Sequence, residues 1–230
     1  MKRKLNVAVL MGGKSSEHEI SLMTGNQVLE HLSKNKYNVF PVVASASASI
    51  LKVLPQLRLA DIVFIAMHGF PGEDGTFQGL FDSLGIKYTG SGILSSALGM
   101  SKLFSRKLFK EASLNTPKYK VLYRGLYKNK DLSNIKLPVF VHPENQGSAI
   151  GSSLVANLKD LDLAVKLAHK FSKIALIDEY LKGTEITCAI LGTQKPRALP
   201  LVEIVPKSGY FDYKAKYDPG LTNEIVPARI

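Results

Sequence analysis

Five stretches of this sequence carry side chains suited to chemistry. His68 stands where the apolar run 62–67 stops, just before Gly69. An imidazole changes charge near neutrality, and open α/β sheets bind ligands at the carboxyl ends of their strands; a purely structural histidine is the competing reading. Glu17 and Glu19 open a helical stretch just past another strand end, where acids also serve as ordinary partners of the helix dipole. Residues 138–143 form an apolar run ending in His142-Pro143, followed by a small-residue loop with Gly147, Ser148, Ala149 and Gly151. A strand leading into such a loop lets backbone N–H groups approach phosphate oxygens, although Gly/Ser loops also act as linkers. Asp178, Glu179, Tyr180 and Leu181 precede Gly183 and Glu185 at a strand–turn–strand, which reads equally as acids facing solvent. Finally, residues 209–217 crowd tyrosines and lysines, among them Lys216 and Tyr217, between apolar segments. That composition suits a lid, or a loop packed on its own domain.

The elements that must position these groups alternate. Residues 7–11 and 62–67 read as buried strands and 39–43 as a further strand, and apolar positions in 20–32 and 50–57 read as helices. Phe77, Leu80, Phe81 and Leu84 recur at helical spacing, with Gly85 as the stop. Strand–helix alternation predicts a doubly wound parallel sheet. Residues 94–113 are helix-rich. After Pro117 the pattern becomes mixed: strands at 118–122, 138–141, 154–156, 174–181, 185–191 and 199–205, one helix at 160–171 capped by Asp160, and a hairpin turn at 192–195. A boundary near residue 100 follows, so the fold class is α/β, a doubly wound parallel N-terminal domain and then an α+β region.

Composition narrows the class. The 230 residues are 45% hydrophobic, enough for a folded core. One cysteine, Cys188, excludes a disulfide framework and fits a reducing compartment. The basic start is followed by a mainly apolar stretch of only seven residues, 5–11, with no cleavage site, and nothing approaches the length of a membrane span. The expected location is cytoplasmic, with no membrane partner. The net charge of +11 is concentrated between Lys102 and Lys136, interleaved with tyrosines. Without a nucleic-acid motif this reads as a solvated basic face, so no nucleic-acid partner is expected. No glycine-rich dinucleotide fingerprint is present.

The wording of residues 68–92, His-Gly-x-x-Gly-Glu-Asp-Gly-Thr-x-Gln-Gly-Leu through Tyr-Thr-Gly-Ser-Gly, resembles the D-alanine–D-alanine ligase family of the ATP-grasp superfamily. The other blocks resemble the same family in the same order. The resemblance implies a pre-ATP-grasp domain at 1–100, a small ATP-grasp subdomain at 101–183, and the beginning of the C-terminal subdomain, incomplete, at 184–230. It implies an ATP-dependent ligase that joins two D-alanines through an acyl phosphate for peptidoglycan precursors, and it allows a homodimer. Glu17 would hold the amino end of the first D-alanine, with His68 in the same pocket. Gly147, Ser148 and Gly151 would lie over the ATP phosphates. Lys102 and His142 would serve the nucleotide, Asp178 the adenine amino group, Tyr180 and Leu181 the base, and Glu185 the ribose. Lys216 would reach the transferring phosphate, and Tyr217 would complete a trio with Glu17 and Ser148, the arrangement that accompanies D-alanine as second substrate.

The sequence departs from the family pattern at His142, where the family has lysine, at Ala149, where it has serine, at Asp178, where it usually has glutamate, and at Ser101, where it usually has aspartate. An imidazole is fully charged only when protonated, so nucleotide affinity is expected to fall as pH rises through neutrality. The family's Mg2+ ligands and catalytic arginine belong to motifs expected beyond Ile230, so no metal ligand is assigned and residues 1–230 alone are expected not to turn over. Two other functions compete: a relative that binds D-alanine or nucleotide without turnover, and a basic nucleic-acid-binding protein.

Overall fold

The computed structural model describes residues 3–45, 47, 50–207, 213–218 and 220–230. The chain divides into two compact units, residues 1–114 and 115–230.

In the first unit the apolar run Leu5–Gly12 becomes β1, the centre of a three-stranded parallel sheet ordered β2-β1-β3, with β2 at Tyr37–Ala44 and β3 at Ile62–Ile65. A central parallel strand is buried on both faces; accordingly Val7 to Met11 are all buried. Helix α1 (His18–His31) lies on this sheet so closely that a Cβ on Gly25 would meet the Met11 side chain at 2.4 Å. A short α2 (Leu54–Leu57) leads into β3. The strand expected at 62–67 ends two residues early: Ala66 still donates its N–H to Leu10, but Met67 leaves the ladder to enter the core beside Phe77 and Phe81. Helix α3 (Thr76–Leu84) stops at Gly85, left-handed at φ 65°. The helix-rich stretch after it is two helices, α4 (Ile93–Met100) and α5 (Lys102–Glu111), separated by Ser101, whose Oγ accepts from the Phe104 N–H at 3.2 Å.

In the second unit four antiparallel strands are ordered β4-β7-β5-β6: β4 Tyr119–Tyr123, β5 Val139–Pro143, β6 Ser153–Val155 and β7 Ile174–Glu179. Helix α6 (Leu161–Phe171) covers one face, packing Leu161, Val165 and Ala168 on Val139, Val141 and Ile177. Asp160 precedes it but makes no side-chain cap bond. Its backbone is already helical and continues a preceding short turn, whereas a capping side chain needs an extended backbone to reach back. The strand expected at 185–191 is two: β8 (Glu185–Thr187) and β9 (Ile190–Leu191). They part because they find different partners. The 192–195 turn pairs β9 with β10 (Arg197–Ala198), while β8 pairs with β11 (Val202–Pro206). Past it, Tyr213–Tyr217 forms a short helix, α7, rather than plain loop, and β12 (Thr222–Ile225) adds to β11. The predicted lid begins at 209–212, which lie outside the described residues, as do parts of the 45–49 serine–alanine alternation.

Candidate active site

The candidate residues of the first unit gather at the carboxyl end of its sheet. Gly12 and Gly13 turn the chain out of β1 with φ of 87° and 99°, and Gly13 donates its N–H to the Ala44 carbonyl at 2.8 Å. A Cβ on Gly12 would lie 2.5 Å from that carbonyl oxygen, so the approach requires glycine. Ser21, fully buried on α1, accepts from the Gly12 N–H and donates to the Ala66 carbonyl at 2.9 Å, tying β1, β3 and α1 together. Ser15 repeats this at the rim: its Oγ donates to the His68 carbonyl at 2.7 Å and accepts from the Glu17 N–H at 3.1 Å.

Glu17 is thereby buried beside Gly69, where a Cβ would stand 3.0 Å from its Oε2. His68 Nε2 lies 2.8 Å from the Thr24 hydroxyl, and Nδ1 lies 3.6 Å from Glu73 Oε1. Glu73 is itself fixed, since its Oε2 accepts from the Gly69 N–H at 2.7 Å. The bond to Glu73 raises the His68 pKa, against the opposing effect of burial, and the charges of Glu73 and Glu17 add to it. Burial works to raise Glu73, but the His68 and Gly69 contacts outweigh it and hold that carboxyl below its ordinary value. Lys102 opens α5 in this unit.

The other candidates belong to the second unit and surround a cavity of about 820 Å³. Phe140 pairs with Asp178 and His142 with Leu176 across β5 and β7. Side chains alternate along a strand, so Phe140, His142 and Asp178 share the face opposite α6. His142 Nε2 and Asp178 Oδ2 are 2.7 Å apart, with side chains only 11% and 8% exposed. Tyr180, past the end of β7, tilts against Phe140 at 5.8 Å between ring centroids. His142, Ala149, Asp178, Tyr180, Leu181 and Glu185 all line the cavity. Burial raises the Glu185 pKa, with the Lys216 charge opposing.

The loop after β5 carries two consecutive non-glycine residues in the left-handed region, Ser148 at φ 50° and Ala149 at φ 56°. They form a tight turn in which Ile150 donates its N–H to the Gly147 carbonyl at 3.1 Å, and turns that expose successive N–H groups make anion-binding concavities. Gly151, at φ 70°, passes so close to Phe171 that a Cβ would meet the ring at 2.5 Å. The Ser148 and Tyr217 hydroxyls are 2.6 Å apart, which brings α7, and Lys216 with it, to this loop. Of the predicted trio, Ser148 and Tyr217 meet in the second unit, and Glu17 belongs to the first. Among the described residues, no group of three or more His, Cys, Asp or Glu side chains could hold a metal ion.

The two halves of the chain match family models described as D-ala D-ala ligase N-terminus, over residues 6–52 and 43–91, and D-ala D-ala ligase C-terminus, over residues 108–230. A D-alanine--D-alanine ligase of Pelotomaculum thermopropionicum is 41% identical over 234 residues, covering 98% of this chain and 73% of that protein. The chain belongs to the D-alanine–D-alanine ligase family. Among solved members, the D-alanine--D-alanine ligase from Bacillus anthracis superposes with a TM-score of 0.81 at 34% identity, covering 96% of this chain and 71% of that one. The same family member complexed with ATP gives a TM-score of 0.79 at 33% identity, covering 98% and 72%. These likenesses carry the fold class, a parallel α/β unit followed by an ATP-grasp unit.

Several residues of the site were not singled out from sequence. Ser15, Thr24 and Glu73 hold Glu17 and His68; Glu73 stood only within the wording of residues 68–92. Its signal was an acid close behind a strand-end histidine. Arg229 also reaches this region, donating to both carboxylate oxygens of cavity-lining Glu203 at 2.8 and 2.9 Å and holding that carboxyl down at about 2.

Proposed function

We propose that this protein is an ATP-dependent carboxylate–amine ligase that joins two D-alanine molecules for peptidoglycan precursor synthesis. The supporting observation is the contact between the Ser148 and Tyr217 hydroxyls, which puts a lysine-bearing helix beside a left-handed small-residue loop. That loop gives Ala149 and Ser152 to a cavity that is also lined by acids and by the Phe140 and Tyr180 rings. This suits a triphosphate at one end and a purine nucleoside at the other.

A carboxylate is a poor electrophile, so amide formation at neutral pH needs activation. The first D-alanine carboxylate takes the terminal phosphoryl group of ATP, releasing ADP and forming an acyl phosphate. The second D-alanine amine attacks the carbonyl carbon, the C–O bond to phosphate breaks, and the amine loses a proton. Catalysis of such transfer is largely positioning and charge stabilisation. The N–H groups of the 147–151 loop other than that of Ile150, which is donated to the Gly147 carbonyl, and the Lys216 ammonium would supply positive charge to the phosphates, with His142 adding to it. Glu17 and His68 would receive the first D-alanine. Asp178, Tyr180 and Leu181 would hold the base, and Glu185 the ribose.

Magnesium, the ion suited to this chemistry, would neutralise charge on the phosphates when bound. The described residues do not gather a site for it, and no step above passes through one. We place the activity in the cytoplasm and allow a homodimer. Among the described residues no helix is long and apolar enough to cross a membrane.

The test is phosphate release and dipeptide formation from ATP with D-alanine, L-alanine or D-lactate. It should be run on this chain and on the chain extended by the remaining quarter or so of the Pelotomaculum thermopropionicum relative, of which 73% is covered. D-alanine-dependent release with D-alanyl-D-alanine as product is expected from the extended chain. Release with other amino acids but not with D-alanine would overturn the reading.

A further inference from the structure

We propose that Gln78 on α3 is a positioning residue, whose side-chain amide fixes the 69–72 turn and so holds the Glu73 carboxylate against His68. The inference rests on the reading of Glu17 and His68 as the groups that receive the first D-alanine, and it adds to them a side chain from the next helix.

Gln78 is buried and donates from Nε2 to the Gly72 carbonyl at 2.8 Å. A carbonyl only accepts hydrogen bonds, so the NH2 of the amide, and not its oxygen, faces Gly72. Local geometry leaves that carbonyl to the side chain. In a continuous helix the N–H four residues on would take it, but the Thr76 N–H donates to Asp74 Oδ1 at 3.1 Å. Within the turn, Gly72 and Glu73 both donate their N–H groups to the Gly69 carbonyl, at 2.8 and 3.0 Å. Gly72 also lies against the chain before it, where an added Cβ would meet Met67 Cβ at 2.5 Å. The same turn brings Glu73 back: its Oε2 accepts from the Gly69 N–H at 2.7 Å, and its Oε1 lies 3.6 Å from His68 Nδ1. Gln78 therefore anchors the residue that directly precedes Glu73.

The other end of the amide argues against a role in stability alone. Gln78 Oε1 is buried and meets no hydrogen-bond partner among the described residues. An unpaired buried acceptor loses its hydration without return, which offsets much of the gain at Nε2. A methionine would fill similar space and avoid both effects. What the amide supplies is a direction for the Gly72 carbonyl.

His68 faces Glu73 from the turn, Glu17 from just before α1, and the Thr24 hydroxyl of α1, 2.8 Å from Nε2. Its contact with Glu73 raises its pKa, burial opposes, and the charges of Glu73 and Glu17 add to the rise. Glu17 and Thr24 are held by other elements, so freeing the turn removes the share of Glu73.

The test is an NMR titration of the full chain carrying carbon-13 at histidine Cε1, with His68 assigned as the signal lost in His68→Asn. Glu73→Gln defines the full fall in the His68 midpoint. Gln78→Met should give about half of that fall or more, with little change in unfolding temperature. Gln78→Asn, whose amide is one methylene short of Gly72, should do the same and serves if Gln78→Met does not fold. A folded Gln78 variant with an unchanged His68 midpoint would overturn the inference, whatever its unfolding temperature. If neither variant folds, amide exchange in the unaltered chain decides. The Gly69, Gly72 and Glu73 amides should lose protection together with α3, and free exchange while α3 stays protected would overturn the inference.

D-alanine added to the unaltered chain should displace the His68 signal, and Gln78→Met should weaken that binding by about three- to tenfold. A His68 signal untouched by D-alanine, with the midpoints as expected, would overturn the D-alanine reading of the pocket and leave Gln78 as the anchor of the His68–Glu73 pair.

Discussion

The loop leaving β1 and the loop leaving β5 both turn at the end of a central strand, but they are built from opposite materials. The first uses Gly12 and Gly13 in the left-handed region, where glycine is unstrained, because the chain must touch the Ala44 carbonyl. The second puts Ser148 and Ala149 in that region, where a Cβ costs energy. One loop is a steric necessity of the sheet. The other holds an unfavourable backbone where N–H groups are proposed to receive phosphate, the pattern expected when a binding geometry is set in advance.

The histidines of the two units divide in the same way. His68 finds its carboxylate five residues along the chain, across 3.6 Å, and remains half-buried. His142 finds its partner across a sheet and is nearly enclosed. Local partners can be changed at small cost, and enclosed ones cannot.

Four measurements would break or sharpen this contrast. The largest effect should come from Gly12→Ala, which sets a Cβ against backbone at a left-handed φ. We expect a loss of about 2–3 kcal/mol in urea unfolding, and a loss below ~0.5 kcal/mol would show that the turn is not the constraint described. Asp178→Ala should cost about 2 kcal/mol by leaving a buried imidazole without its acceptor, against under ~1 kcal/mol for Glu73→Ala at the more exposed pair. Equal losses would erase the distinction. Ala149→Gly should go the other way, stabilising by about 0.5–1 kcal/mol as it relieves the left-handed backbone. Nucleotide affinity should fall in the same variant, because a freer loop must be ordered on binding.

The smallest effects are in pH dependence, and their signs differ. His68 has a raised pKa in the folded state, so its contribution is complete below the ordinary value of 6.5 and is lost as pH rises through the folded value. Glu73→Gln should remove that loss. His169 on α6 has a lowered pKa because burial disfavours its charged form. Its contribution is present above 6.5 and lost as pH falls through the folded value. His169→Phe should abolish that acid-side loss, and unfolding midpoints between about pH 5 and 8 read both slopes.

What was legible in the sequence was what depends on period and punctuation. The buried run Val7 to Met11, the α3 stripe with its Gly85 stop and the 192–195 turn are local patterns, and the structure contains them. Side-chain partnerships were less legible. His142 and Asp178 stood out separately, but their contact follows from register, which a sequence fixes only through the packing of both strands. Ser148 and Tyr217 were joined by family resemblance alone, across 69 positions. Glu73 was missed because its role depends on the turn after Gly69 pointing its carboxylate back at the strand end. The division of 185–191 between two partner strands was equally invisible, since no glycine or proline separates Glu185–Thr187 from Ile190–Leu191.

The central claim is that the second unit holds the nucleotide with its base among Phe140, Asp178 and Tyr180. An azido-adenosine triphosphate, activated by light on the intact chain and followed by peptide mapping, tests it most directly. The account predicts labelling confined to peptides containing Phe140 to Ser152 or Asp178 to Glu185, and suppressed by unlabelled ATP. Suppressible labelling on residues 1–114 instead would contradict it.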